Sequence, residues 1–196
     1  VAAVRDKLGD LISDVTVVQG QVRATVLSAN LIKTLKKLRD GKDFKFTQLV
    51  DITAVDWTPD NSKPQDFCVV YQLLSLTLNQ RLMLYVWTDE GKPLSSSTEL
   101  FSSANWYERE VYDMFGIEFA GHPDLRRLLT DYDFDGYPLR KDFPVEGKVE
   151  VYYDTKEERV AYKPVDLPQQ WRNMHTDQHW QAMTGNADRA DTVFDE

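Results

Sequence analysis

Apolar periodicity runs through this chain as far as Gly116 and then lapses for some thirty residues. Up to that point apolar residues recur at helix and strand spacings. Residues 117 to 147 instead hold many Pro, Gly, Asp and Arg with little period. The core domain is therefore expected to end at Gly116. A loop of that length inside a compact domain is unusual unless it has a job or a surface to lie on.

Before Gly116 the elements can be placed one by one. Val4, Leu8, Leu11 and Ile12 recur at helical spacing and predict a short amphipathic helix. Val15–Val18 and Val22–Leu27 flank Gln19-Gly20, which reads as a β-hairpin with a Gly-containing turn. Leu31, Ile32, Leu35 and Leu38 mark the buried side of a helix whose other side carries Lys33, Lys36, Lys37 and Arg39. Ser28 or Asn30 can cap that helix, and Gly41 can stop it. Phe44–Trp57 holds a strand, and Phe67–Leu76 and Arg81–Trp87 form two more around a tight turn at Asn79-Gln80. Pro59-Asp60-Asn61-Ser62-Lys63-Pro64 is a loop by composition. Ser96-x-x-Glu99 matches a capping box and predicts a helix from there to Phe115, ended by Gly116. Beyond the aperiodic stretch, Val149–Tyr153 and Arg159–Lys163 pair as a hairpin. From Pro164 the chain is polar, with isolated Trp171 and Trp180, and reads as a tail that orders against a partner. The pattern is α+β: a mixed β-sheet packed with helices, then an extended loop, a β-hairpin and a long C-terminal tail. The expected organisation is a core domain over 1–116, a loop and hairpin over 117–163, and a partner-binding tail over 164–196.

Composition removes several function classes. With 23 basic and 32 acidic residues the formal charge is −9. That balance argues against phosphate-backbone binding and against docking on anionic lipid through a basic patch. The single cysteine, Cys68, excludes an internal disulfide and any multi-cysteine zinc or iron–sulfur site made by this chain alone. Phe67 to Leu78 is the most apolar stretch and is too short to span a bilayer. No signal peptide is expected, since no basic segment followed by an apolar one opens the chain. Neither Gly-x-Gly-x-x-Gly, Gly-x-x-x-x-Gly-Lys-Ser/Thr nor Gly-x-Ser-x-Gly occurs.

Chemistry-bearing residues concentrate around Gly116. On a helical wheel Leu100, Ala104, Tyr107, Val111 and Met114 form one apolar stripe, with Phe115 at its edge. Trp106, Glu110 and Asp113 share another face with Arg109 beside them, and Glu108 lies near the stripe's border. One reading is a solvated charged face. The other is a face covered by a basic partner, because Trp106 is costly to leave in water and Asp113 opposes the helix dipole in the last turn. A cation site on these carboxylates lacks a second carboxylate-rich helix. Arg126 and Arg127 can pair bidentately with Asp124, Asp131, Asp142, the acidic helix or a neighbouring subunit. His122 with Asp124 can act as a base in a small hydrolase, or simply form a turn. Asp133-x-Asp135-Gly136 lacks the later ligand of a calcium loop, and His175 with His179 lacks a third ligand. No catalytic, cofactor or metal residue is assigned to this chain.

Three runs carry a resemblance: Trp106-Tyr107-Glu108-Arg109-Glu110-Val111-Tyr112-Asp113-Met114-Phe115-Gly116, then Gly121-His122-Pro123-Asp124-Leu125-Arg126-Arg127-Leu128-Leu129-Thr130-Asp131-Tyr132, then Gly136-Tyr137-Pro138-Leu139-Arg140-Lys141-Asp142-Phe143-Pro144. They resemble the signature of the thirty-kilodalton subunit family of respiratory complex I, the proton-pumping NADH:quinone oxidoreductase. Leu49–Asp56 and Val70–Leu76 resemble the family more loosely. The resemblance implies an accessory subunit of the hydrophilic arm with no redox centre of its own. It implies packing against the forty-nine-kilodalton subunit and neighbouring iron–sulfur subunits near the quinone site, with FMN, iron–sulfur clusters and quinone bound by those partners. It implies a place peripheral to the inner membrane, on the cytoplasmic side in bacteria or the matrix side in mitochondria. Related subunits serve membrane-bound energy-converting hydrogenases, which is the alternative machine. Trp106, Glu108, Arg109, Glu110, Asp113, His122, Asp124, Arg126, Arg127, Arg140 and Asp142 are the expected interface or structural residues.

Overall fold

The computed structural model describes residues 2–58, 65–145 and 147–167. The expected loop from Pro59 to Pro64 and the tail beyond residue 167, with Trp171, His175, His179 and Trp180, lie outside the described residues. The chain divides into two compact units, Val1–Pro144 and Val145–Glu196.

The first unit opens with α1 (Ala2–Leu8), then a 3-10 turn over Gly9–Leu11 and β1 (Ile12–Val18). Leu11 and Ile12 thus leave the predicted helix: Gly9 takes a positive φ of 51°, and Ile12 enters the sheet. β1 pairs antiparallel with β2 (Gln21–Val26). The turn between them places Gln19 and Gly20 at φ 52° and 78°, the geometry that suits a two-residue hairpin. α2 (Leu31–Asp40) carries the chain on, burying Leu31, Thr34, Leu35 and Leu38. β3 (Gln48–Asp56), β4 (Phe67–Ser75) and β5 (Gln80–Thr88) then form a meander. The strand order is β1-β2-β5-β4-β3, with β2 and β5 parallel and the other neighbours antiparallel. The sheet is therefore mixed, as the pattern predicts.

Register explains the core. Val15, Ala24, Leu84, Tyr71 and Ile52 lie in one row across all five strands, and every one is buried. The helices and the segment after β5 bury their apolar residues in the same cluster. The adjacent row on the opposite face reads Thr16, Arg23, Met83, Gln72 and Asp51. Period-2 alternation thus assigns one face to the core and one to a more polar exterior.

Cys68 belongs to that exterior face, between Val55 and Trp87, yet its neighbours leave it 1% exposed. Burial pushes its thiol up to about 12, against a weaker pull from the Val86 backbone. Cys68 should therefore resist a thiol reagent at pH 8 in the native chain and react fully in denaturant. Stoichiometric labelling of the native chain within minutes would contradict this.

After β5 come β6 (Leu94–Ser95), α3 (Ala104–Phe115) and β7 (Phe119–Ala120), with β6 and β7 paired in parallel. α3 packs on β3. The expected capping box does not start it. Ser97 instead closes a turn by accepting the N–H groups of Leu100 and Phe101, and the helix begins eight residues after Ser96. Gly116 ends α3 as expected, in the left-handed region at φ 76°, donating its N–H to the Tyr112 carbonyl at 2.8 Å.

The second unit contains β8 (Val149–Asp154) and β9 (Arg159–Pro164), an antiparallel hairpin in the expected position. No helix among the described residues is long and apolar enough to cross a membrane.

Candidate functional site

Two carboxylates of α3 are fully buried, and the chain surrounds each with donors. Glu108 accepts the Ser96 hydroxyl at 2.6 Å and both the N–H and hydroxyl of Ser97 at 2.7 Å. Those donors replace the water a buried carboxylate would lose. Burial, and secondarily the Glu108 charge, hold the Tyr71 phenol well above its usual range. Glu108→Gln would turn an amide NH2 toward hydroxyl and N–H donors. It should cost about 1–3 kcal/mol, read from the urea midpoint of the purified chain. An unchanged midpoint would show that these bonds carry no stability.

Asp113 organises the loop that follows. One of its oxygens accepts the N–H groups of Leu128, Leu129 and Thr130 at 2.9, 2.6 and 3.0 Å. The other accepts the Thr130 hydroxyl and Nη1 of Arg127, the latter at 2.9 Å. Burial pushes this carboxyl up, but the Thr130 hydroxyl and the N–H groups of Thr130, Leu129 and Leu128 outweigh it and hold it well below the usual range.

Three arginines fasten the same loop. Arg109 donates from Nε to the Arg126 carbonyl at 3.1 Å and from Nη2 to the Arg127 carbonyl at 3.2 Å, while lying over the Trp106 ring. Arg127 also donates to the Gly136 carbonyl and lies over Phe134 and Tyr137. Arg140 donates to the Phe115 carbonyl at 2.5 Å and to Glu90 at 2.6 Å, with the faces of Phe67 and Tyr137 both within cation–π reach. One further anchor was invisible in the sequence. Asp56, at the end of β3, accepts the Lys141 N–H at 2.8 Å as well as the N–H and hydroxyl of Thr58. Burial opposes ionisation of Asp56, yet these donors lower its carboxyl below the usual range. The backbone N–H of a distant residue leaves no mark in a side-chain pattern, so only the fold reveals this pair.

The solvated-face reading is thus corrected for Glu108, Arg109 and Asp113, which are buried. The basic cover over Asp113 comes from this chain's own Arg127. Trp106 sits one heptad before Asp113 on the same face, yet it is 60% exposed. The chain reverses at Gly116, and the segment at Leu128–Thr130 returns over Asp113 while Trp106 stays outside. Glu110 and Asp142 are exposed. Arg126 pairs with Asp124 at 2.9 Å on the surface.

The hydrolase geometry does not form. His122 Nδ1 accepts the Asp124 N–H at 3.0 Å, which places the proton on Nε2, 3.1 Å from the Asn105 carbonyl. The Asp124 carboxylate faces Arg126 and does not orient the ring. Among the described residues, no group of three or more His, Cys, Asp or Glu is placed to hold a metal.

The signature is therefore a helix with its following loop bonded back onto it. Residues 24–149 match the family described as respiratory-chain NADH dehydrogenase, 30 Kd subunit. The chain belongs to that family. It is 48% identical over 177 residues to NADH-quinone oxidoreductase C-subunit 1 of Rhizobium meliloti (strain 1021), covering 90% of this chain and 87% of that protein. It is likewise 48% identical over 178 residues to the NADH-quinone oxidoreductase C-subunit of Brucella abortus (strain 2308), covering 91% and 87%. Family membership makes the chain a subunit of NADH-quinone oxidoreductase, a membrane-associated, multi-subunit respiratory complex. The fold is shared with a chain in the structure of the membrane-bound sulfane sulfur reductase, an archaeal respiratory membrane complex. That match has a TM-score of 0.60 at 23% identity and covers 74% of this chain and 83% of that one.

Proposed function

We propose that this subunit works by architecture, without a catalytic site of its own. It braces the forty-nine-kilodalton subunit and the neighbouring iron–sulfur subunits near the quinone site, on the cytoplasmic side of the membrane in a bacterium. FMN, the iron–sulfur clusters and quinone are held by those partners. The observation that carries this reading is how the signature's charges are spent. Arg109, Asp113, Arg127 and Arg140 bond within the chain and stiffen one loop, while Glu108 is taken up by Ser96 and Ser97 ahead of the helix. That leaves Trp106, Glu110, Leu129, Tyr132 and Leu139 exposed on a fixed scaffold. A rigid loop presenting aromatic and aliphatic side chains suits protein docking, because little entropy remains to be lost on binding.

The test is affinity purification of the tagged chain from gently solubilised native membranes. The forty-nine-kilodalton and iron–sulfur subunits should co-purify with NADH:quinone activity. Glu110→Lys, an exposed charge reversal, should reduce their recovery. Recovery of hydrogenase subunits, or of the chain alone, would refute the reading. The alternative is the equivalent subunit of a membrane-bound energy-converting hydrogenase, but 48% identity to NADH-quinone oxidoreductase subunits favours complex I.

A further inference from the structure

The hairpin β8–β9 has two unlike faces. Its register pairs Val149 with Pro164, Val151 with Tyr162 and Tyr153 with Val160. Alternating with these are Glu150 with Lys163, Tyr152 with Ala161 and Asp154 with Arg159. Because side chains alternate along a strand, the first three pairs share one side, and that side carries no charge. Val149, Val151, Tyr153, Val160 and Tyr162 are each 55–60% exposed. The other side is polar and internally matched: Lys163 pairs with Glu150 at 2.6 Å and lies over Tyr152, while Arg159 pairs with Glu157.

A two-stranded hairpin is marginal in water unless a further layer covers its apolar side. We infer that the Val149–Val151–Tyr153–Val160–Pro164 face docks on an uncharged apolar patch of a neighbouring subunit of the same complex. Area decides against a second copy of this chain. Side chains of this size offer roughly 400–500 Å², about half of the ~800 Å² per partner that a stable free-standing interface buries. The occupant is therefore one that other contacts already hold in place, as the subunits of one assembly do for each other. Charge points the same way. Every ionic group of the hairpin lies on the opposite face or in the turn, so a charged occupant would be desolvated here without a counter-ion. The inference rests on the assembly reading above and adds the surface and its chemistry.

The test uses the native complex. A photo-reactive p-benzoylphenylalanine replaces Tyr153 in one strain and Tyr152, its neighbour on the polar face, in another. The solubilised complex is irradiated and cross-linked peptides are identified by mass spectrometry. Position 153 should join an apolar peptide of another subunit, with at least ten times the yield from position 152. A link into this chain, into a second copy, or with equal yields from both positions would overturn the inference. Val151→Asp combined with Val160→Asp should reduce co-purified subunits about ten-fold, while Tyr152→Asp leaves recovery unchanged. Equal loss from Tyr152→Asp would mean that the hairpin merely needs to fold. If wild-type chain recovers no other subunit, the assembly reading itself fails. If subunits are recovered but position 153 does not link to them, only the hairpin assignment fails.

Discussion

Asp113→Ala should destabilise the chain by about 3–5 kcal/mol, the cost of removing one partner from a buried ion pair. Arg127, whose side chain is 16% exposed, would keep its charge and lose its carboxylate. The N–H groups of Leu128, Leu129 and Thr130 would lose their acceptor together. For a chain of this size that corresponds to a melting temperature lower by roughly 6–20 °C. Hydrogen exchange should accelerate first at residues 128–130. Asp113→Asn keeps an oxygen for those N–H groups but not the charge for Arg127, so it should fall between the two. The sign with pH is fixed. The folded carboxyl is depressed below its unfolded value, so its stabilisation is complete above about pH 4 and fades as pH falls toward the folded value. Asp56 is depressed too and contributes in the same direction. The stability gap between wild type and Asp113→Ala should therefore close in acid. A gap independent of pH from 7 down to 2 would rule out the ionised carboxylate as its source.

The sheet was legible because its signals are local. Alternation in Val22–Val26, the Gln19-Gly20 turn and the apolar runs of β4 and β5 each point to one pairing. The hairpin at 149–164 was readable for the same reason. What failed was long-range. Ser96 and Ser97 carry the right side chains to cap a helix, but their hydroxyls bond Glu108, and no local pattern distinguishes those acceptors. β6 and β7 pair only two residues each, too few for a period. The wheel placed Trp106 and Asp113 on one face correctly, yet burial was decided by where the loop returns. Arg127 to Asp113 was one of several possible pairings, and Arg109 spends its guanidinium on carbonyls that any residue would offer. The family signature marked this region as special without revealing that its charges turn inward.

Gly116→Ala is the other substitution with a large expected effect, and it separates the helix stop from the loop's docking. A Cβ at this position would lie 2.6 Å from Cε2 of Tyr137 and 2.7 Å from Nη2 of Arg140. The backbone there is left-handed, which costs an L-residue about 1–2 kcal/mol before any contact is counted. Overpacking adds roughly 1–3 kcal/mol. Neither neighbour can yield freely. Arg140 is held by the Phe115 carbonyl and Glu90, and Tyr137 packs edge-on against Tyr112 and beneath Arg127 and Arg140. The loop should therefore lift near 137–140 while Leu128–Thr130 stay bonded to Asp113. Exchange at the Leu139 N–H, which donates to the Met114 carbonyl, should rise before exchange at residues 128–130. Asp113→Ala predicts the reverse order. If both variants released the loop along its whole length at once, it would be one cooperative element rather than a strap with two independent anchors.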